Sequence, residues 1–208
     1  MTSCIIVAGG ASSRMGRDKR RLRLWGPTGP MLLERIVALG MAHCHECVVV
    51  LNDPQAWQQL PVRLVPDAYP GSGPLGGLAS GLAAIEQPYA MVLACDMPSI
   101  QPALLTFLIE YPCPADALVP LRRTDHPIAG MPAAEPLMAR YRRDILPAIE
   151  ARLAAGMRSM IGLLETIDTR FITAEAWQPY DPAGVSFFNL NQPHDLAHWQ
   201  AAHHAIGG

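Results

Sequence analysis

The segment Val7–Lys19 combines glycines, hydroxyls and cations in a pattern suited to binding a triphosphate; it reads Val-Ala-Gly-Gly-Ala-Ser-Ser-Arg-Met-Gly-Arg-Asp-Lys. The glycines let backbone N–H groups approach phosphate oxygens without interference from a Cβ atom. Arg14 can donate paired hydrogen bonds to a phosphate, and Lys19 can act as a point charge on the same group. The spacing matches neither the P-loop nor the dinucleotide fingerprint, so the sequence predicts a different kind of phosphate loop.

A second candidate is Asp96, which follows the almost wholly apolar run Tyr89–Ala94. If that run is a central strand, Asp96 lies at its carboxyl end and faces the same crevice as the loop after the first strand. Mg²⁺ needs few protein carboxylates when phosphates and water complete its shell, so Asp96 is a candidate magnesium ligand. The alternative is that Asp96 caps a helix beginning near Pro98 or Pro102.

Alternating strand and helix patterns predict how these residues are positioned. The predicted strands are Cys4–Ala8, Cys47–Leu51, Arg63–Pro66, Tyr89–Ala94, Ala117–Pro120 and Thr169–Thr173. The predicted helices are Met31–Ala42, Leu78–Glu86, Pro102–Tyr111, Ser159–Leu164 and one or two within Glu135–Gly156, and Gly71–Gly77 is predicted as a loop. We therefore expect an α/β fold with three layers, in which a mostly parallel twisted sheet has helices on both faces.

Composition limits the class of protein. The 208 residues carry a formal net charge of -2 and are 50% hydrophobic, which indicates an ordinary globular chain that we expect to form a single domain, residues 1–208. The sequence lacks the basic patch expected of a nucleic-acid-binding protein. It also lacks an apolar run long enough to predict a membrane span or export. The five cysteines, an odd number, favour a reducing, cytoplasmic location. His43–Cys47 has a zinc-like Cys-x-x-Cys, but without a second ligand pair we interpret it as a turn with incidental thiols.

These motifs together resemble the molybdenum cofactor guanylyltransferase family. The resemblance rests on Ala8-Gly-Gly10, Ser12-Ser-Arg-Met-Gly16, Asp18-Lys19, Asp67, Gly73-Pro-Leu-Gly-Gly77, Cys95-Asp-Met-Pro98, His126-Pro-Ile128 and Phe188-Asn-Leu-Asn-Gln-Pro-His-Asp-Leu196. They occur in the family's order over almost the whole chain, and Val7 replaces the usual leucine. The resemblance implies a Rossmann-like nucleotidyltransferase fold. It also implies transfer of GMP from GTP to the terminal phosphate of molybdopterin, with release of pyrophosphate and with Mg²⁺ as the metal.

The resemblance also implies roles for individual residues. GTP would be bound by Val7, Ala8, Gly9, Gly10, Lys19, Asn52, Asp67 and Asp96. Within that set, the backbone of residues 7–9 would meet guanine, Lys19 the phosphates, Asp67 the nucleoside and Asp96 the magnesium ion. Two positions keep alternatives: Asp53 competes with Asn52 for its role, and Asp67 could instead be a turn residue before Ala68. Arg14, Lys19 and Asp96 are the expected catalytic residues.

The acceptor site is expected within residues 121–200, and the nucleotide site within residues 1–120. Asn189 and Asn191 lie on alternate positions, so an extended backbone would aim both amides at the acceptor or the metal, whereas the alternative is a turn before Pro193. The expected partners are GTP, molybdopterin and proteins that deliver or accept the cofactor. Alternative functions are a cytidylyltransferase on the same pterin, a nucleotidyltransferase with another phosphorylated acceptor, and a non-catalytic nucleotide-binding regulator.

Overall fold

One seven-stranded sheet forms the centre of the molecule. The computed structural model describes residues 1–9, 18–123 and 133–204. Its strands are β1 (Thr2–Val7), β2 (Glu46–Leu51), β3 (Arg63–Pro66), β4 (Tyr89–Ala94), β5 (Ala117–Pro120), β6 (Met138–Arg142) and β7 (Thr169–Ile172). They are arranged in the order β3-β2-β1-β4-β6-β5-β7, and β6 runs antiparallel to both of its neighbours. The predicted mostly parallel sheet is confirmed.

Helices cover both faces of this sheet. They are α1 (Leu32–His43), α2 (Gly73–Ala84), α3 (Pro102–Glu110), α4 (Leu146–Ala154), α5 (Met160–Leu164), α6 (Ala174–Trp177) and α7 (Pro193–His204). The apolar side chains of α1 and α3 form one core with the sheet, and those of α2, α4 and α5 form a second core on the opposite face. The three-layer prediction is therefore confirmed.

The central strands are apolar on both sides because both of their faces are covered. In β1, Ile6 joins the core beneath α1 while its neighbour Ile5 joins the core beneath α2. In β2, Val49 and Val50 are divided between the two cores in the same way. Successive strand side chains point to opposite faces, so a parallel strand buried on both sides is a continuous apolar run. That is why these strands were recognisable in the sequence.

Helix α2 lies unusually close to β1, and this explains one wrong prediction. A Cβ atom added at Gly81 would lie 2.4 Å from Cγ2 of Ile5, and one at Gly77 would lie 2.7 Å from Cγ1 of Val7. Glycine is therefore required here for close packing. The predicted loop Gly71–Gly77 is wrong from Gly73 onward, because those residues form the start of α2.

The prediction that Glu135–Gly156 contains only helix is also wrong. Its first half forms β6, the antiparallel strand between β4 and β5, and only Leu146–Ala154 is α-helical. In the structure Arg140 is buried, and its guanidinium donates to the carbonyl oxygens of Ile109 and Tyr111 at 2.8 Å, which end α3. Arg140 therefore links β6 to the end of α3.

The sheet order creates a switch point at β1. Chain connections run from β1 to β2 and β3 on one side, whereas β4 pairs with β1 on the other side. Ligands in open α/β sheets bind outside the carboxyl ends of the strands at such a point. Among the described residues, no helix is long and apolar enough to cross a membrane.

Candidate active site

The carboxyl ends of β3, β2, β1 and β4 bring the predicted nucleotide residues to one edge of the sheet. Asp67 directly follows β3, and its N–H donates to Leu51 O at 3.3 Å. Ala8 directly follows β1, and its N–H donates to Val50 O at 2.8 Å. Cys95 follows β4 and donates to Val7 O at 3.3 Å. These backbone bonds continue the sheet into the site, so its walls are held by the sheet itself.

Gly9, Asn52 and Asp67 meet at the β1 side of this edge. Nδ2 of Asn52 donates to the carbonyl oxygen of Gly9 at 2.7 Å. A Cβ atom at Gly9 would be 3.6 Å from that same Nδ2 and 3.8 Å from Oδ2 of Asp67. The structure therefore places Asn52 at the loop after β1, whereas Asp53 bonds elsewhere. A side chain larger than alanine at position 9 would enter the space between the amide and the carboxylate.

Asp67 is both a turn residue and a member of this group. Its Oδ1 accepts the backbone N–H of Tyr69 at 2.9 Å and lies 3.0 Å from Oγ of Ser80 on α2. Its Oδ2 is the oxygen nearest to Gly9. The turn alternative is thus present in the structure, and it leaves the second carboxylate oxygen directed toward the loop after β1.

Lys19 and Asp96 form an ion pair on the other side of Gly9. Nζ of Lys19 lies 2.6 Å from Oδ2 of Asp96, and the two side chains are 19% and 18% exposed. Lys19 begins a 3-10 helix, Lys19–Arg21, and the preceding Asp18 caps it by accepting the N–H of Arg20. Lys19, predicted to contact phosphates, and Asp96, predicted to bind the metal, are therefore adjacent in the ligand-free chain. Both side chains are partly shielded from water.

Arg20 is an organising residue that sequence reasoning missed. Its guanidinium donates to Asp18 at 2.8 and 2.9 Å and to Asp53 at 2.6 and 2.8 Å, and it lies 5.4 Å from the ring centre of Trp57. Burial opposes its charge, but the hydrogen bonds to Asp18 and Asp53 outweigh burial and raise the pKa of Arg20. Arg20 therefore ties the residues before Lys19 to those after Asn52. The sequence signal for Arg20 was limited to two carboxylates, Asp18 beside Lys19 and Asp53 beside Asn52.

Cys95, next to Asp96, lies in an environment that disfavours a reactive thiolate. Its thiol is buried, and burial, followed by the nearby charge of Asp96, raises its pKa to about 12. A thiol with this pKa stays protonated near neutral pH, and the thiolate is the reactive form.

Asn189 and Asn191 flank a residue that is attached to Asp96. The N–H of Leu190 donates to the backbone carbonyl of Asp96 at 2.8 Å, which draws this extended segment to the end of β4. Asn189 is half-buried and Asn191 is exposed. The backbone N–H of Asn191 donates to Oδ2 of Asp195 at 2.8 Å, just before α7. Both predicted acceptor residues are thus chain neighbours of the residue bonded to Asp96, and the second is also bonded to Asp195 in the first turn of α7.

Several predicted elements lie outside the described residues. These are Gly10, Arg14, the rest of the loop through Arg17, and His126–Ile128.

The donor set fits magnesium better than zinc. In the chain as described, no three His, Cys, Asp or Glu side chains are grouped as a metal site. Mg²⁺ requires no such group, because substrate phosphates and water supply most of its ligands, and Asp96 is a partly exposed oxygen donor at the strand end. The thiols of the His43–Cys47 segment pack instead near Cys4, whose pKa is raised by hydrogen bonding to Cys44 and Cys47 and by burial.

The amino-acid sequence matches a family of known activity. The model of the MobA-like NTP transferase domain matches residues 4–169. The chain belongs to this family. It is a nucleotidyltransferase, and the expected relationship to molybdenum cofactor guanylyltransferases is confirmed by its relatives. A probable molybdenum cofactor guanylyltransferase from Chloroflexus aggregans is 49% identical, over 97% of this chain and 94% of its own. A molybdenum cofactor guanylyltransferase from Syntrophotalea carbinolica is 31% identical over 99% of this chain and 93% of its own.

Solved structures of family members and more distant proteins share the fold. Molybdopterin-guanine dinucleotide biosynthesis protein A from Archaeoglobus fulgidus superposes with a TM-score of 0.80 at 25% identity, covering 99% of this chain and 100% of that one. The 4-diphosphocytidyl-2C-methyl-D-erythritol synthase of Anaerococcus prevotii superposes with a TM-score of 0.72 at 13% identity, covering 97% and 95%. At 13% identity, the second likeness shows that this chain shares the fold of that protein, and nothing more.

Proposed function

We propose that this nucleotidyltransferase transfers GMP from GTP to the terminal phosphate of molybdopterin and releases pyrophosphate. The observation that carries the proposal is the row of groups along the strand ends: Asn52 and Asp67 beside Gly9, then Lys19 paired with Asp96. This row has a polar part suited to a nucleoside and a charged part suited to phosphates and a divalent cation. The relatives' names support guanine and the molybdenum cofactor as substrates, and the row of groups supports binding of a nucleoside triphosphate.

In the proposed complex, the base lies against the backbone of residues 7–9. Asn52 holds the carbonyl oxygen of Gly9 at 2.7 Å, so it presents this backbone in one orientation. The free oxygen of Asp67 is the proposed contact for the nucleoside. Arg20 bonds both Asp18, before Lys19, and Asp53, after Asn52. It therefore holds these two segments together, which makes the site preorganised. Preorganised polar groups lose little entropy when a ligand binds.

The triphosphate would lie beside Lys19 and Asp96. Asp96 is the residue that would hold Mg²⁺, which, when bound, neutralises charge on the phosphate oxygens. Lys19 exchanges its contact with Asp96 for a phosphate oxygen when the nucleotide enters. Gly10 and Arg14, in the loop between, are proposed to contact the same phosphates. Fixed positive charge around the α-phosphate stabilises the transition state by several kcal/mol in such sites.

The chemical step needs no covalent enzyme intermediate. An oxygen of the acceptor phosphate attacks the α-phosphorus in line, the new P–O–P bond forms, and the bond from the α-phosphorus to the bridging oxygen of pyrophosphate breaks. The nucleophile is already ionised near neutral pH, so no general base is required. Asn189 and Asn191 are proposed to orient the acceptor phosphate, because both flank the residue bonded to the Asp96 carbonyl. In this scheme the nucleotide part is residues 1–120 and the acceptor part is residues 121–200.

The decisive experiment measures product formation and nucleotide choice together. Purified protein is incubated with molybdopterin, Mg²⁺ and one of GTP, CTP, ATP or UTP, and pyrophosphate and the dinucleotide are quantified. We expect product with GTP, and loss of most activity in Lys19→Ala and Asp96→Ala. Arg143→Ala is the control, because Arg143 is exposed and lies beyond the amino end of β4, bonded to Pro88 O. Product with CTP alone would assign the cytidylyl reaction, and absence of product with every nucleotide would refute transfer to this acceptor.

The cellular context follows from the same proposal. We propose a cytoplasmic location, supported by five cysteines that are all free thiols. Proteins that deliver or accept the pterin are proposed partners, because the acceptor is a cofactor that other enzymes make and use.

A further inference from the structure

The guanidinium of Arg20 also contacts the backbone that is proposed to meet the base. Its Nη1 donates to the carbonyl oxygen of Ala8 at 3.4 Å. Ala8 is almost fully buried at the end of β1, and its own N–H donates to Val50 O at 2.8 Å. Both peptide groups of Ala8 are therefore held, the first by β2 and the second by Arg20.

All five N–H groups of Arg20 have acceptors within the protein. Nε and Nη2 donate to the two oxygens of Asp18 at 2.8 and 2.9 Å. Nη1 and Nη2 donate to the two oxygens of Asp53 at 2.6 and 2.8 Å, and Nη1 also donates to Ala8 O. An arginine has five such donors and no acceptor, so none is left for a phosphate or a base. Any effect of Arg20 on a nucleotide must therefore pass through the residues that it holds.

The surroundings of Arg20 fix the plane of its guanidinium. Its Cζ lies over the buried ring of Trp57, 5.4 Å from the ring centre, and only 13% of its side chain is exposed. The carboxylates of Asp18 and Asp53 hold its edges with paired hydrogen bonds, which add geometric specificity. A lysine has the same charge, but its three donors radiate from one atom and cannot reproduce this planar set of contacts.

A carbonyl oxygen held in one direction favours a base edge that donates a hydrogen bond. Ala8 O has a second lone pair beside the one used by Arg20. Guanine carries N–H donors at N1 and N2, whereas adenine carries an acceptor at N1. A site built to accept a substrate N–H discriminates strongly against an analogue without it, because the buried polar group is left unpaired.

We infer that Arg20 sets the preference for guanine without touching the nucleotide, by holding the Ala8 carbonyl in the direction that accepts a guanine N–H. This inference rests on the proposed function, which places the base against residues 7–9. Arg20 is in this sense a positioning residue. Asp53 shares the role, because it accepts from the same Nη1 that reaches Ala8 O.

The test measures nucleotide selectivity in Arg20→Lys and Arg20→Gln. Binding of GTP, ATP and CTP, each with Mg²⁺, is measured by isothermal titration on the wild-type chain and both variants. General loosening of the segment around Lys19 would weaken all three nucleotides by one factor, so the readout is the ratio of affinities. We expect the wild-type preference for GTP over ATP to fall about 3- to 10-fold in both variants, the size of one lost hydrogen bond.

Arg21→Lys is the matched control. Arg21 is exposed and lies over the same Trp57 ring, 4.5 Å from its centre, but it donates to Ala56 O. This variant should keep the wild-type ratio of affinities. Asp53→Ala is the variant least expected to disturb folding, because the Asp53 side chain is 42% exposed, and it should lower the ratio about two- to three-fold. Circular dichroism checks that each variant is folded.

The outcomes separate the inference from the proposed function. If the wild-type chain prefers GTP and the Arg20 and Asp53 variants keep that preference unchanged, the inference is overturned and the proposed function stands. An equal loss of affinity for all three nucleotides would also overturn it, since it would show a structural role alone. A wild-type chain without a preference for GTP would count against the proposed function and would overturn the inference with it.

Discussion

Asp96→Asn is expected to change GTP affinity in opposite directions with and without Mg²⁺. In the ligand-free chain, the Asp96 carboxylate holds Lys19 at 2.6 Å. A triphosphate without metal must take Lys19 from this carboxylate and accept the nearby negative charge. The isosteric amide removes both obstacles, whereas with Mg²⁺ present it removes the proposed metal ligand.

The size of the effect follows from the exposure of the pair. Charges about 4 Å apart interact by roughly 1 kcal/mol in water and roughly 4 kcal/mol at an effective dielectric constant near 20. The two side chains retain 19% and 18% exposure, and water access and desolvation reduce the upper figure, so we take about 1–2 kcal/mol. GTP binding without metal should therefore tighten about 5- to 30-fold. With Mg²⁺, affinity should fall about 10-fold or more, because a carboxylate–metal contact is lost.

Isothermal titration of GTP into wild-type protein and Asp96→Asn, with either EDTA or excess Mg²⁺, measures both arms. Lys19→Ala should weaken binding in both conditions, since its charge contacts phosphate with or without metal. Asp168→Asn is the charge-matched control, because Asp168 is exposed beside β7, far along the sheet from β4. If Asp96→Asn weakened GTP binding equally in EDTA and in Mg²⁺, Asp96 would not be the competitor for Lys19 and the reasoning would be refuted.

Three further predictions concern the stability of the fold. Arg20→Ala should lower the free energy of unfolding by about 1–3 kcal/mol in urea titrations, because partly buried carboxylates lose their donor, whereas the exposed neighbour change Arg21→Ala should cost under about 1 kcal/mol. Gly81→Ala should lower the thermal midpoint, at a cost of about 1–3 kcal/mol, because its Cβ would lie 2.4 Å from Ile5; an unchanged midpoint would show that α2 shifts freely. Burial opposes ionisation of Glu46, but donors including the Ser3 hydroxyl at 2.6 Å outweigh it and lower its pKa. A lowered pKa adds stability above the unfolded value and loses it as pH falls through the folded value. Because Glu46 is largely open to water, which screens its charge, Glu46→Gln should cost only about 0.5 kcal/mol at pH 7 and progressively less below pH 4.5. A cost that did not vary with pH would contradict this assignment.

The strand ends that form the candidate nucleotide site could be predicted from the sequence, whereas the roles of their residues stay predictions. Gly9, Lys19 and Asp96 were selected because local patterns indicated strands that end at those motifs, and parallel strands place their carboxyl ends at one edge. The structure brings Gly9 and Asn52 together and pairs Lys19 with Asp96, as that argument requires. Lys19 was expected from the cations of the loop after β1, whereas Asn52 was expected only from the family resemblance, because a strand pattern does not identify which residue at its end binds a ligand.

The tertiary structure alone decided the contacts between distant segments. It distinguished Asn52 from Asp53 by giving the first to Gly9 and the second to Arg20. It also placed Met138–Arg142 between β4 and β5 as strand β6, where a helix was predicted, and set Arg140 against the end of α3. Periodicity reports which face of an element is apolar, but it does not report which element lies opposite. The order of strands in the sheet supplies that information, because it decides which charged side chains meet.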